Sequence, residues 1–131
     1  MEYKLKELLY DDAYKMVEKY NLVSPIEAMI NSNSSMIHID AQDIKILNHH
    51  EITAYYNGIV KNINDIKLNI VDNDSKNGVV YIKTGFNFSL NDAKLCIDNV
   101  NKALNKEISV IYGVDITSSS NLYDVLILVT K

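Results

Sequence analysis

The segment that most constrains the fold is an unbroken apolar run at residues 125–129, V-L-I-L-V. A strand with one face in water alternates apolar and polar side chains, so a run without alternation indicates a strand covered on both faces. The run is also far shorter than the roughly 20 residues of a membrane-spanning helix. It therefore predicts a central strand in a sheet that carries packed layers on both sides.

Three further strands and two helices are indicated before or beside this run. Strand patterns occupy residues 52–60, 79–84, 108–116 and 122–130, and helical patterns occupy residues 64–72 and, after a cap at Ser89, residues 90–105. The order β-α-β-α-β-β favours parallel neighbours across each helical crossover, with the last two strands joined as an antiparallel hairpin through residues 117–121. We expect an α/β (α+β) fold, a four-stranded mixed sheet with helices packed on it.

The first 35 residues are predicted to be helical and to precede the sheet. Residues 2–20 place apolar side chains at spacings of three and four, the pattern of one amphipathic helix. Ser24-Pro25-Ile26-Glu27 has the composition of a capping box, which predicts a second helix over residues 25–31. The polar run at residues 31–35 is typical of a loop.

Asp40 and Asp43 lie three residues apart, where the apolar extended residues 37–39 lead into a helix. Asp40 suits the N-cap, because its carboxylate can accept from the amide of Asp43, and Asp43 suits the first turn, where the helix dipole favours negative charge. Two carboxylates at such a place also suit an active site. The spacing alone leaves capping and catalysis both open.

Composition limits the classes of partner. At 131 residues and 47% hydrophobic, the chain suits one domain with a substantial core. A net charge of −4 argues against nucleic acid and against direct membrane binding, which leaves protein or small-molecule partners. All thirteen cationic side chains are lysine, so the chain has no arginine finger. Its one cysteine, Cys96, excludes an internal disulfide, and without a hydrophobic signal segment we expect a cytoplasmic protein.

Histidine and lysine side chains offer two weaker site hypotheses. His38, Asp40 and Asp43, joined by His49 or His50, have the ligand types for a divalent metal. Adjacent histidines at a helix end more often interact with its dipole and stay solvated, so a metal site is not predicted. Lys83 lies within a strand, where it either neutralises a ligand or blunts a sheet edge; we expect the edge role.

Five segments, taken in chain order, match the motifs of one family. Residues 37–45 read I-H-I-D-A-Q-D-I-K against I-N-V-D-F-A-D-V-K, and both aspartates match. The other pairs are D-A-Y-K at 12–15 with D-A-F-K, G-V-V-Y-I-K-T-G-F-N-F-S-L-N-D at 78–92 with G-V-L-V-N-I-T-G-G-x-D-L-x-L-x-E, I-S-V-I-Y-G at 108–113 with N-I-I-F-G, and V-L-I-L-V-T at 125–130 with R-V-T-V-I-A-T-G. The series covers nearly the whole chain and resembles the C-terminal half of FtsZ, the bacterial relative of tubulin.

The resemblance implies two parts of the chain. Residues 1–35 would be an N-terminal helical segment like the lower end of the FtsZ central helix, and residues 36–131 would be an FtsZ/tubulin C-terminal-like domain. The family binds GTP in a separate N-terminal domain through a glycine-rich loop. This chain has four glycines and no phosphate-cradling loop, so it would bind no cofactor alone. GTP and Mg²⁺ would belong to a partner protomer.

Residues 37–45 resemble the synergy loop of that family, which completes the GTP site of the next protomer in a filament. The resemblance therefore implies that Asp40 and Asp43 act in trans, so that the chain is at most half of a composite GTPase site. The same loop would supply the interface residues Ile37, His38, Ile39 and Gln42. His38 stands where the family has asparagine, which replaces a neutral amide by a group that titrates near neutrality.

Three functions follow from these observations. The first is a filament interaction domain that docks on an FtsZ/tubulin-type protomer or filament. The second is a free-standing regulator that caps or modulates FtsZ-type filaments through the same surface. The third is a small-molecule enzyme, since this type of domain resembles a chorismate-mutase-like fold.

Overall fold

A mixed β-sheet forms the centre of the molecule. The structure, a computed structural model, describes residues 2–33, 35–117 and 121–131, with Ser35 described by its backbone only. The strands in these residues are β1 Ser35–Ile37, β2 Ile52–Val60, β3 Asn69–Ile70, β4 Asn77–Thr84, β5 Ser109–Ile116 and β6 Tyr123–Thr130. The helices are α1 Leu5–Leu8, α2 Asp11–Lys19, α3 Val23–Ile30, α4 Ala41–Ile44 and α5 Leu90–Leu104, with 3₁₀ turns at Lys45–Asn48 and Ile63–Asp65.

Strand β6 lies inside the sheet, as its apolar run predicts. The strand order is β1-β5-β4-β6-β2-β3, and β6 pairs antiparallel with both β4 and β2. All of residues 125–130 are buried, and the side chains of residues 125–129 enter the cores on the two faces alternately. The α/β class and the mixed sheet with packed helices are confirmed. The described residues add two short edge strands, β1 and β3, to the four that the sequence predicts.

The last two long strands do not form the predicted hairpin. β5 pairs in parallel with β4, with Val79 opposite Ile111, and β4 separates β5 from β6. The hairpin prediction is wrong because β6 is apolar on both faces and gains more burial between two long strands than beside β5 alone. The predicted connecting loop includes residues 118–120, which lie outside the described residues, as does Ser34 of the predicted loop at residues 31–35.

An extended segment replaces the helix predicted over residues 64–72. After the 3₁₀ turn at Ile63–Asp65, the chain continues to β3, which pairs with the outer edge of β2. Ile66 and Leu68 both pack against the core beside α5. Their two-residue spacing suits an extended chain, whereas a helix places neighbours on one face three or four residues apart. β2 and β4 run in the same direction but are not adjacent, because β6 lies between them, so the predicted parallel pairing of these two strands is wrong.

Helices cover both faces of the sheet. α5 starts after Ser89, whose N–H donates to Asp92 Oδ2 at 3.1 Å, and it ends at Leu104 with Asn105 as its C-cap, as predicted. On the face beneath it, the buried helix residues are Ala93, Cys96 and Val100. On the opposite face, helices α1 to α3 contribute Leu5, Val17, Ile26 and Met29 among others. In the described ranges, no helix combines the length and the apolar character needed to cross a bilayer.

The N-terminal segment contains a break that its amphipathic pattern does not predict. One helix is expected over residues 2–20, yet α1 ends at Leu8 and α2 begins at Asp11. The side chain of Asn48 fills the gap: its Oδ1 accepts from the Tyr10 N–H at 2.7 Å, and its Nδ2 donates to the Leu8 carbonyl at 3.1 Å. One side-chain amide thus satisfies both a donor and an acceptor that the break leaves without helical partners.

Glu27 caps a neighbouring helix and not its own. The capping box predicted at Ser24 does not form in this described segment, because α3 already begins at Val23. Glu27 Oε2 accepts instead from the Leu5 N–H, 22 residues away, at 2.8 Å. A charged acceptor at the start of α1 satisfies an amide of its first turn and complements its dipole.

The thiol of Cys96 is fully buried in the core beneath α5, and burial raises its pKa to about 12. The thiolate is the reactive form, so we expect native Cys96 to resist a thiol reagent at pH 8 and to react only when the core opens. Labelling with an aromatic disulfide reagent should be more than about a thousandfold slower in buffer than in denaturant. Because Cys96 is the only cysteine in the sequence, no other thiol contributes to the labelling signal. Stoichiometric labelling of the native chain within a minute would contradict the burial.

Candidate functional site

The two candidate aspartates lie in the connection between β1 and α4, which we call the acidic loop (residues 37–43). Asp40 is the N-cap of α4, and its Oδ1 accepts from the Asp43 N–H at 3.1 Å. In return, Asp43 Oδ2 accepts from the Asp40 N–H at 3.0 Å. The predicted cap is confirmed and is a reciprocal capping box. The two carboxylates are therefore held in a defined position relative to each other.

Buried side chains anchor the acidic loop on its inner side, and its outer side is exposed to solvent. The buried anchors on either side of the cap are Ile39, Ala41, Ile44 and Leu47. Asp40 is exposed and Asp43 is half-buried. In each carboxylate one oxygen serves the cap, while none of the described residues engages the other oxygen. Since a carboxylate oxygen is a strong acceptor and a hard cation ligand, the loop offers two such atoms to a partner.

Three consecutive residues at the end of β5 support the acidic loop, and we call them the platform (Gly113, Val114 and Asp115). In the antiparallel pairing of β1 with β5, Ser35 lies opposite Asp115 and Ile37 lies opposite Val114. One residue of β1 between these pairs is extra, so the strand has a β-bulge that changes its direction just before the loop.

Gly113 permits a close approach of the acidic loop to the sheet. A Cβ atom at this position would lie 2.8 Å from Cγ1 of Ile39 and 3.0 Å from the Ile37 carbonyl oxygen. Both distances are shorter than an ordinary contact of a Cβ atom, so any side chain at position 113 would push the loop away. The glycine of the I-Y-G motif therefore sets the height of the acidic loop above the sheet.

The other residues predicted for the interface differ in exposure. His38 and Gln42 are exposed, Ile37 is half-buried, and Ile39 is 1% exposed. His38 and Gln42 therefore flank Asp40 on the surface. Ile39 acts from beneath, because it packs on Gly113.

The paired histidines lie in different surroundings. His50 is half-buried, and its Nδ1 lies 2.6 Å from the Lys131 carbonyl oxygen; because a carbonyl only accepts, this nitrogen carries the proton. The prediction that both rings stay solvated is therefore wrong for His50, since the end of β6 supplies a backbone acceptor. His49 is exposed and meets the Tyr10 ring edge-on, with centroids 5.9 Å apart. Over the part of the chain described, no three His, Cys, Asp or Glu side chains are grouped to hold a metal.

A cluster of polar side chains lies at the end of the sheet that supports the acidic loop. Asp115 is only 2% exposed, and its Oδ2 accepts from the Tyr81 hydroxyl at 3.0 Å and from Ser32 Oγ at 2.7 Å. Lys83 and Asp124 occupy the same level of the neighbouring strands. Together these residues line an open cleft of about 810 Å³ between α3 and the sheet. The family motifs do not single out this cluster; an aspartate between the apolar residues of β5 was its one sequence signal.

Lys83 does not blunt a sheet edge, contrary to the prediction. β4 lies inside the sheet between β5 and β6, and Lys83 is exposed because it lies near the end of that strand, where the cleft opens. It lies opposite Asp115 on one side and Asp124 on the other. Two carboxylates on adjacent strands favour a cation between them.

Tyr81 should make the stability of the chain sensitive to alkaline pH. Burial first, and then the bond to the Asp115 carboxylate, hold the pKa of the Tyr81 phenol well above its ordinary value. The unfolded chain then releases this proton near pH 10 while the folded chain retains it, so the stabilisation present below about pH 10 is lost as the pH rises. Between pH 10 and 11.5 we expect the free energy of unfolding to fall more steeply than in Tyr81→Phe, by up to about 1.4 kcal/mol per pH unit. Urea titrations at several pH values measure how the free energy of unfolding changes with pH in each chain. Tyr3→Phe, a change at an exposed tyrosine, should give the same slope as the parent chain. Equal slopes for the parent and Tyr81→Phe would contradict the expectation.

Solved structures of FtsZ resemble this fold. An FtsZ dimer from M. jannaschii described as empty matches with a TM-score of 0.58 and 15% identity, over 88% of this chain and 38% of that chain. A point mutant of M. jannaschii FtsZ matches with a TM-score of 0.54 and 16% identity, over 90% of this chain and 40% of that chain. No protein-family profile matches the sequence, and no curated protein does. At such identities the likeness concerns the fold alone, and the chain spans well under half of the FtsZ chains; it has the fold of a part of FtsZ.

Proposed function

We propose that the chain is a filament interaction domain that docks the acidic loop onto the nucleotide face of an FtsZ/tubulin-type protomer. The observation that carries the proposal is the pair of carboxylates Asp40 and Asp43, which a reciprocal capping box fixes on a loop anchored to a sheet with an FtsZ-like fold. Each keeps one oxygen that the described chain does not use. In this reading residues 1–35 stand for the end of the central helix, and residues 36–131 stand for the C-terminal domain.

Two fixed carboxylates suit the chemistry that such a docking requires. Phosphoryl transfer to water depends mainly on positioning and electrostatics, because the protein forms no covalent bond to the phosphoryl group. A carboxylate near the γ-phosphate can orient the attacking water and accept its proton. Asp40 is the more exposed of the two and would approach the water, while the half-buried Asp43 holds the Asp40 backbone. GTP and Mg²⁺ would be bound by the partner, and this chain would contribute the carboxylates.

A complementation assay tests the proposal. The partner is an FtsZ whose own synergy-loop aspartates have been replaced by alanine, so that it retains its nucleotide pocket and lacks the residues that complete a neighbouring one. We expect GTP turnover to appear when this chain is added and to saturate with its concentration. No turnover at several-fold excess of the chain would overturn the proposal.

Filament regulation is a second candidate function: residues 1–131, tested on their own, would dock the acidic loop, which its capping box fixes at the surface, without presenting a nucleotide pocket to a following protomer. A chain of this kind would bind one end of a filament and stop growth there. The assay with an unmodified FtsZ separates the two functions. If the chain caps filaments, less polymer should sediment even when far fewer copies of the chain than of FtsZ are present. If the chain only completes GTP sites, turnover should rise in proportion to its concentration.

A further inference from the structure

We propose that Asp115 is a positioning residue for the acidic loop. It acts through its hydrogen bond to Ser32, which lies in the chain before the loop. The acidic loop follows β1, which has three residues and pairs with β5 at two positions on either side of a bulge. A strand this short is held weakly by its own ladder. The position of Asp40 and Asp43 therefore depends on what fixes the chain before β1.

Asp115 fixes that segment through a side chain and a backbone contact. Its Oδ2 accepts from Ser32 Oγ at 2.7 Å, and its backbone lies opposite Ser35 in the β1–β5 pairing. The next contacts follow along the platform in order, with Ile37 opposite Val114 and Ile39 packed on Gly113. The four contacts place Ser32, Ser35, Ile37 and Ile39 along three consecutive residues of β5, and Asp40 directly follows Ile39.

The Tyr81 hydroxyl keeps the Asp115 carboxylate in place. Tyr81 and Asp115 lie on adjacent parallel strands, and the hydroxyl donates to the same Oδ2 that accepts from Ser32. A carboxyl group that is 2% exposed is costly to bury unless hydrogen bonds compensate it, and the Tyr81 and Ser32 hydroxyls supply two such bonds. Because Tyr81 lies in the sheet and Ser32 lies at the entry to the loop, the two bonds have separable roles: the first orients the carboxylate, and the second holds the loop.

Ser32→Ala removes the hydroxyl that donates to Asp115, and it leaves the buried Tyr81–Asp115 pair in place. The matched control is Ser24→Ala, an exposed serine of α3 that lines the same cleft. Ser32→Thr retains the hydroxyl and is the conservative variant. Because Asp115 is buried, its own substitution risks unfolding, and the serine series avoids that risk.

Amide hydrogen exchange of the isolated chain gives the first readout. The Asp40 and Asp43 amides both donate in the capping box, so their exchange reports how well the acidic loop is held. In Ser32→Ala we expect these amides to exchange about tenfold faster, while amides of α5 and β6 are unchanged. Ser24→Ala and Ser32→Thr should match the parent chain. Equal exchange in Ser32→Ala and Ser24→Ala overturns the proposal, whatever the partner does.

GTP turnover in the complementation assay gives the second readout, and only this part rests on the proposed function. Ser32→Ala should lower turnover at saturating chain by about tenfold, with a small change in the half-saturating concentration, because the loop still reaches the partner but presents the carboxylates poorly. Ser32→Thr should restore it. If the parent chain supports no turnover, the proposed function fails while the exchange result still decides the role of Asp115. If the parent supports turnover and Ser32→Ala does so equally, the positioning role fails and the proposed function stands.

Discussion

Replacing Asp40 and Asp43 together by asparagine is expected to remove the GTP turnover that the chain supports in a partner, while the chain stays folded. Asparagine is as good an N-cap as aspartate, and its side-chain oxygen can accept from the same amides, so both bonds of the capping box can persist. The negative charges and the capacity to accept a proton are lost. Loss of a positioned acid–base group costs on the order of 10²-fold or more in turnover. The measurement is turnover at saturating chain in the complementation assay.

Two comparison variants separate the carboxylate chemistry from the cap. Asp40→Ala with Asp43→Ala removes charge and cap together, and should in addition lower the free energy of unfolding by about 0.5–2 kcal/mol. Asp65→Asn with Asp98→Asn removes the same charge from exposed positions elsewhere and should leave turnover unchanged. If the asparagine pair at 40 and 43 behaves like this control pair, the two carboxylates serve only as caps.

Gly113→Ala is expected to lower the free energy of unfolding more than the same change at any other glycine in the sheet. The added carbon would lie 2.8 Å from Cγ1 of the buried Ile39 and 3.0 Å from a backbone oxygen, so neither neighbour can move away without shifting the acidic loop. Overpacking of this kind costs about 1–3 kcal/mol. Urea unfolding measures the loss, and turnover in the complementation assay should fall as well, because the loop is displaced.

Gly58→Ala is the matched control for this prediction. Its added carbon would lie 2.8 Å from the Tyr56 hydroxyl, the far end of a half-buried side chain that can rotate. The same methyl group should therefore cost little there. Ile39→Ala combined with Gly113→Ala tests the contact directly: removal of Cγ1 makes room, so the double variant should be less destabilised than the sum of the singles. Additive losses, or equal losses at 58 and 113, would contradict the role assigned to Gly113.

Local patterns in the sequence predict the local structure well. The capping boxes at Asp40 and Ser89 join residues three apart, and the structure contains both reciprocal acidic contacts. The burial of β6 follows from its composition alone, because no polar side chain interrupts residues 125–129. Where the physical cause lies within one element, the sequence is sufficient.

Contacts between distant residues account for the errors. Asn48 divides the predicted N-terminal helix from 38 residues away, through its bond to Tyr10, and Glu27 caps α1 and not α3. The position of β6 between β4 and β2 depends on which strands compete for pairing, and no single segment of the sequence determines it. The role of Asp115 could not be predicted, because it depends on hydrogen bonds from Tyr81 and Ser32, which are distant from Asp115 in the sequence.

The placement of β6 has a consequence for the synthesis of the chain. β6 follows every other strand in the described sequence, yet it joins β4 to β2 in the interior of the sheet. Until residues 123–130 have left the ribosome, the backbone N–H and C=O groups of β2 and β4 that pair with β6 in the folded chain lack these partners. We therefore expect the interior of the sheet to close only after β6 is synthesised, and the unpaired edges of β2 and β4 to be open to non-native pairing before then.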